Sequence, residues 1–169
     1  IPYIVNPASS RQDLYELAER IISEDLERAT ALKARCLVLH PGSRGEESAE
    51  AAVERLAALL KRVLHKYHGD TMILIETMAG MGREIGYQFA ELKAILDGVN
   101  HPLLGLCLDT CHLLGAGYDM VSKEGISGTL AELGQNIDLS LVRVVHANDS
   151  QREINSRIDR HAPIGTGFI

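Results

Sequence analysis

The stretch LLGLCLDTCHLLGAGYD, residues 103–119, decides the fold. Its first part, residues 103–108, is a nearly unbroken apolar run, which suits a strand buried on both faces of a parallel sheet. The run stops at Asp109, with Cys111 and His112 just behind it and a flexible Gly115-Ala116-Gly117 turn beyond. A carboxylate and an imidazole three residues apart, where a buried strand gives way to a loop, can converge on one divalent cation. The competing reading is that Asp109 or Thr110 caps a following helix and His112 is incidental. Recurrence along the chain separates the two.

The same event does recur. Residues 36–39 form a short apolar strand ending at His40, followed by the loop Pro41-Gly42-Ser43-Arg44-Gly45. Residues 46–67 then read as an amphipathic helix, with Val53, Leu56, Leu59, Leu60 and Val63 at helical spacing. A second strand over residues 72–75 ends at Glu76, with the glycine-rich loop Ala79-Gly80-Met81-Gly82 and a helix near residues 85–96 after it. The strand at 103–108 is followed by a helix near 126–135. A last strand, 141–145, ends at His146, and the remaining residues, to 169, read as polar loop. Ahead of all this, Ser9 or Ser10 can cap a helix running to about residue 33, whereas the class of residues 1–6 stays open because Pro2 and Pro7 break them up.

Four strands thus end at His40, Glu76, Asp109 and His146, spaced 36, 33 and 37 residues apart with helices between. That alternation predicts an α/β fold with a parallel sheet. Each strand puts a metal-capable side chain at its carboxyl end, the face on which barrel and doubly wound enzymes build their sites. In residues 156–161, SRIDRH, Asp159 and His161 alternate, so an extended backbone turns both to one side. Gly165 and Gly167 allow the backbone to come close to an anionic group.

Composition agrees with one domain able to bury a core: 169 residues, 46% hydrophobic and 24% charged. No apolar run approaches the roughly 18 residues of a membrane span. The three cysteines, Cys36, Cys107 and Cys111, are odd in number, and two lie in apolar strand-like runs, which predicts a reduced, cytoplasmic-type protein. A net charge of −6 argues against a generic phosphate-binding surface, although bound cations can neutralise local carboxylates. The start at Ile1 without Met, and no visible signal peptide, suggests that the natural N-terminus lies further upstream. His65, His68 and His101 read as surface histidines, Cys111 as a bystander between two ligands, and Tyr118 and Asp119 as loop-fixing residues.

LVLHPGS, LIETMAGMG, LDTCHLLGAGYD and VVHANDSQREINSRIDRH together resemble the signatures of the endonuclease IV family of apurinic/apyrimidinic nucleases, in its order and spacing, from about Tyr3 to Phe168. The resemblance implies an eight-stranded TIM barrel, of which this chain is the central part, one domain over residues 1–169 truncated at both ends. It implies three zinc ions per complete enzyme, with manganese as a possible substitute. One would be held by His40 and Glu76, a second by Glu76, Asp109 and His146, and a third by His112, Asp159 and His161. A family His at or just before Ile1 and a family Glu beyond Ile169 have no counterpart here.

Glu76 would be the catalytic bridge between two ions, and residues 1–6 the loop after the third strand. The implied reaction is hydrolysis of the phosphodiester 5′ to an abasic site, leaving a 3′-hydroxyl, on double-stranded DNA. Neither a nucleotide cofactor nor a membrane is implied; the full-length protein would be a cytoplasmic monomer, and the isolated fragment a poor nuclease. Tyr3, Ser43, Arg157 and Arg160 are implied DNA contacts, with Arg44 a further candidate. Thr77-Met78, Gln151 and Asn155 depart from the usual family residues, which bears on DNA contacts more than on metal binding. The alternatives are a metal-dependent sugar isomerase or epimerase of the same barrel superfamily, which has no need of the His112, Asp159 and His161 set, and a non-catalytic metal-binding half-barrel.

Overall fold

The computed structural model describes residues 4–169. Four parallel strands lie side by side in chain order, β1 (Cys36–Leu39), β2 (Met72–Glu76), β3 (Leu104–Asp109) and β4 (Val142–His146). Helices α1 (Gln12–Ala31), α2 (Ala49–Lys66), α3 (Phe89–Val99), α4 (Thr110–Ala116) and α5 (Lys123–Asn136) connect and cover them. The arrangement is a partial TIM barrel of four strands and their helices. No helix among the described residues is long and apolar enough to cross a membrane.

Alternation along each strand divides its side chains between two environments. Leu39, Ile73, Ile75, Leu104, Leu106 and Leu108 pack outward against Leu56, Leu60, Leu92 and Ile95 of the helices. Burying each such side chain contributes roughly 1.5–3 kcal/mol, so this outer layer holds the helices on the sheet. The remaining positions, among them Val38, Leu74, Gly105 and Cys107, face the barrel interior. In-register pairing of β1 with β2 carries this on to the strand ends, where His40 and Glu76 extend the interior row.

The pairing of β3 with β4 contains an irregularity. Leu106 lies opposite Val142 but Cys107 lies opposite Val144, so β4 carries one extra residue, Arg143, before Asp109 meets His146. Arg143 lies over Gly105, where a Cβ would sit 3.3 Å from its Cγ.

Helix starts differ from the sequence reading. Neither Ser9 nor Ser10 caps α1; its N-cap is Arg11, with no side-chain cap, and the Ser9 hydroxyl instead accepts from the Arg11 N–H at 3.2 Å. α2 begins only after Ser48, whose hydroxyl accepts from Ala51 N–H at 3.2 Å, because residues 44–47 close a turn in which Glu47 N–H donates to the Arg44 carbonyl at 3.2 Å. α3 starts four residues later than expected because Gly86, at φ +81°, ends a turn there. The segment after Asp109, expected to be loop, is the short helix α4, closed by Gly117 at φ +107°.

The region after β4 is also more ordered than a polar loop. β5 (Asp149–Ser150) and β6 (His161–Ala162) form a small antiparallel pair, with Ser150 opposite His161. The Asp149 carboxylate accepts backbone N–H groups from Ser150 (2.7 Å), Gly165 (3.0 Å), Thr166 (3.1 Å), Gly167 (2.8 Å) and Ile169 (2.8 Å). The anion that Gly165 and Gly167 approach is therefore the chain's own side chain.

Candidate metal centre

The strand ends and the loop after β4 bring seven side chains together. Glu76, at the end of β2, is the hub. Its Oε2 lies 3.0 Å from His40 Nε2, while its Oε1 lies 2.7 Å from His146 Nδ1 and 3.7 Å from His112 Nδ1. Asp109 Oδ2 is 3.7 Å from both His146 Nδ1 and His161 Nε2. A second focus forms around Asp159, whose Oδ2 is 3.2 Å from His112 Nε2 and whose Oδ1 is 3.3 Å from His161 Nε2. Donor atoms of His112, Asp159 and His161 all lie within 4.8 Å of one another, as do those of Glu76, Asp109 and His112.

Asp109 has two jobs. Its Oδ1 caps α4 by accepting the His112 N–H at 3.0 Å, and its Oδ2 faces the cluster and Asn148 Nδ2. The cap and the ligand-like arrangement are both present in one side chain. Capping turns the first turn of α4 inward, which is how His112 comes to share a centre with a strand two places away.

Two residues outside the sequence-derived set hold these groups in place. The buried Thr77 hydroxyl accepts the Asp109 N–H at 2.9 Å, and the Thr77 carbonyl lies 2.8 Å from His112 Nδ1. Asn148 donates to Asp109 and exchanges hydrogen bonds with Thr110. In the sequence Thr77 stands out only as a departure from a family pattern; nothing in a lone Thr signals that its backbone oxygen orients a histidine.

The electrostatics are those of a cation site. Burial alone would raise the Glu76 carboxyl, but hydrogen bonds from His40 and His146 outweigh it and hold it below its usual range. The hydrogen bond from His112, opposed by burial, keeps Asp159 low. Burial would lower His112, yet its contact with Asp159 and the charges of Asp109, Asp159 and Glu76 raise it to about 9. His112 Nε2 is buried and points towards the Asp159 carboxylate, 3.2 Å from Oδ2. Since a carbonyl only accepts, Nδ1 carries a proton, which leaves Nε2 as the nitrogen that would turn to a metal ion, the arrangement metal-binding histidines adopt. Four imidazoles and three carboxylates suit zinc or a neighbouring divalent ion. The cysteines fit less well: burial pushes the Cys107 thiol up to about 12 and raises Cys111, disfavouring thiolate.

Of the residues expected to contact DNA, Tyr3 lies outside the described residues. Ser43 is held within the loop after β1, its hydroxyl donating to the Arg83 carbonyl at 3.1 Å. Arg157, at φ +55°, lays its guanidinium over the Tyr87 ring, 4.3 Å from the centroid. Arg160 is exposed and contacts the Asp159 carbonyl at 3.2 Å, and Arg44 turns to the Glu47 carbonyl at 2.7 Å. Asp119 accepts from Val121 and Ser122 in its own turn, and Tyr118 stacks on Phe89 at 4.1 Å, both away from the cluster.

The family model for the xylose isomerase-like TIM barrel matches residues 1–169. The chain belongs to that family. Among its relatives, a protein named probable endonuclease 4 from Chloroflexus aurantiacus is 41% identical over 169 residues, covering 99% of this chain and 59% of that protein. The crystal structure of endonuclease IV from Thermus thermophilus superimposes with a TM-score of 0.81 at 34% identity, over 98% of this chain and 58% of that one. A D-tagatose 3-epimerase-like protein shares the family fold, with a TM-score of 0.77 at 24% identity and 58% of its length covered. The chain therefore spans less than two thirds of the length of these relatives.

Proposed function

We propose that this chain is the central part of a zinc-dependent DNA-repair endonuclease that hydrolyses the phosphodiester 5′ to an abasic site and leaves a 3′-hydroxyl. The observation that carries the reading is the second focus, His112, Asp159 and His161, standing beside the Glu76-centred set. Seven inward side chains exceed what one zinc ion takes, and proton transfer on a sugar has no use for the second focus. The similarity to proteins named endonuclease 4 supports the same choice.

Zinc bound here would stabilise charge on phosphoryl oxygens and lower the pKa of a coordinated water to about 7. His40 with Glu76 would hold one ion, Glu76 with Asp109 and His146 a second, and His112 with Asp159 and His161 a third. Glu76 offers each oxygen to a different histidine, which suits it to bridging. Asp109 and His112 are buried and form the floor, while His146 and His161 are partly exposed and border the side from which a phosphodiester approaches. Arg160, exposed and next to Asp159 in the chain, would be a phosphate contact. Abasic duplex is a fitting substrate for a recessed floor, because extruding a nucleotide costs least where no base is paired.

The test is nicking of a duplex carrying one abasic site by the full-length, zinc-loaded protein. A single cut on the 5′ side, abolished by chelator and restored by zinc, is expected. An unchanged rate in chelator, or conversion of a ketose without any cleavage, would overturn the assignment.

A further inference from the structure

The five backbone N–H groups gathered on Asp149 form a nest of the kind that elsewhere holds free anions, filled here by an internal carboxylate. Asp149 sits three residues beyond His146, and its neighbour Ser150 pairs with His161 across β5 and β6. The side chain is 2% exposed. Oδ2 receives Gly165, Thr166 and Gly167, while Oδ1 receives Ser150 and Ile169, so both oxygens are used. Gly167 comes in so close that a Cβ there would lie 2.2 Å from the Ser150 carbonyl and 2.5 Å from Asp149 Oδ1. The clasp thus ties the end of β4 and the segment after β6 to one point, with the Asp159–His161 segment strung between them.

We infer that Asp149 is a positioning residue whose clasp on the 165–169 backbone holds Asp159 and His161 against His112, and so sets metal affinity at that site without touching the metal. The inference rests on the nuclease reading only for the identity of the ion. His112 is fixed independently, by α4 and the Thr77 carbonyl, so loosening the clasp moves two of the three groups and leaves the third in place. The Glu76 set is held by the strand ends, and of it only Asp109 lies near a group that moves, 3.7 Å from His161. A general loss of folding would weaken all sites together; loss of positioning weakens one.

The decisive measurement is competitive zinc titration of the full-length protein and its Asp149→Asn and Gly167→Ala variants, alongside melting in chelator. The amide of Asp149→Asn keeps the shape but loses one acceptor oxygen and turns N–H towards the N–H groups of the nest. Gly167→Ala forces the clasp open from the other side. Each variant is expected to bind one zinc about 10- to 100-fold more weakly while the other ions bind as in the wild type and the metal-free melting curve keeps its single transition. His161→Ala should weaken the same ion. If Asp149→Asn does not fold, Gly167→Ala decides. Wild-type affinity for every ion in the folded variants, or uniform weakening of all of them, would overturn the inference. A wild-type protein that holds zinc at all sites but fails to nick abasic DNA would instead remove the nuclease reading and leave the clasp standing.

Discussion

At the scale of single residues, Glu76 divides its two oxygens across the cluster, meeting His40 through one and His146 and His112 through the other. Glu76→Gln is therefore expected to lower kcat of the full-length enzyme about tenfold or more beyond His40→Ala, since one change disturbs two ions and the other one. Equal losses at saturating zinc would count against a bridge. Asp149 supplies a pH signature. Backbone N–H groups, led by that of Ile169, outweigh burial and pull its carboxyl from 3.8 down to about 2. A carboxyl depressed on folding contributes stability that is present above its unfolded value and lost as pH falls through its folded one. The stability gap between wild type and Asp149→Asn should accordingly close between pH 3.8 and about 2. A gap that stays constant over that window in thermal melts would show that the charge is not what holds the clasp.

At the scale of elements, Asp109 joins a strand to a helix and to the cluster at once, and substitutions can separate those duties. Asn caps a helix about as well as Asp, whereas Ala costs about 1 kcal/mol. Metal-free Asp109→Asn should therefore melt close to wild type and Asp109→Ala below it, while both lose zinc affinity. If Asp109→Ala melts with Asp109→Asn, the cap contributes nothing. The same short helix marks where sequence reading stops. Apolar strand runs and the helical spacing of Val53, Leu56 and Leu60 expose the β/α order, because periodicity is a property of the local chain. Residues 110–116 are too few for a period to emerge, and Gly115-Ala116-Gly117 reads as a flexible turn, so only the capping signal of Asp109 or Thr110 points to α4. Strand ends flag which side chains share a face. They cannot give the distances between them, nor reveal Thr77 and Asn148, whose roles arise only when distant segments meet.

At the scale of the molecule, four strands do not close a barrel. Among the described residues β1 and β4 have a neighbour on one side only, and Val145 on the outward face of β4 is 56% exposed. Unpaired strand edges beside apolar surface template association. The isolated chain is expected to sediment above its 18.5 kDa monomer mass as concentration rises, and to lack nicking activity, whereas the full-length protein stays monomeric. A monodisperse 169-residue monomer at high concentration would show that these edges are protected.

The extra residue in β4 gives the gene an uneven tolerance for gaps. Losing Arg143 removes the irregularity and still leaves Val144, Val145 and His146 beside Cys107, Leu108 and Asp109. Losing Val145 can keep His146 beside Asp109 only by sliding Arg143 in beside Cys107, one strand over from Glu76. A cation would then occupy the layer that the cluster needs for its own. Of two single-codon deletions two positions apart, the first should yield soluble, zinc-binding protein and the second should not.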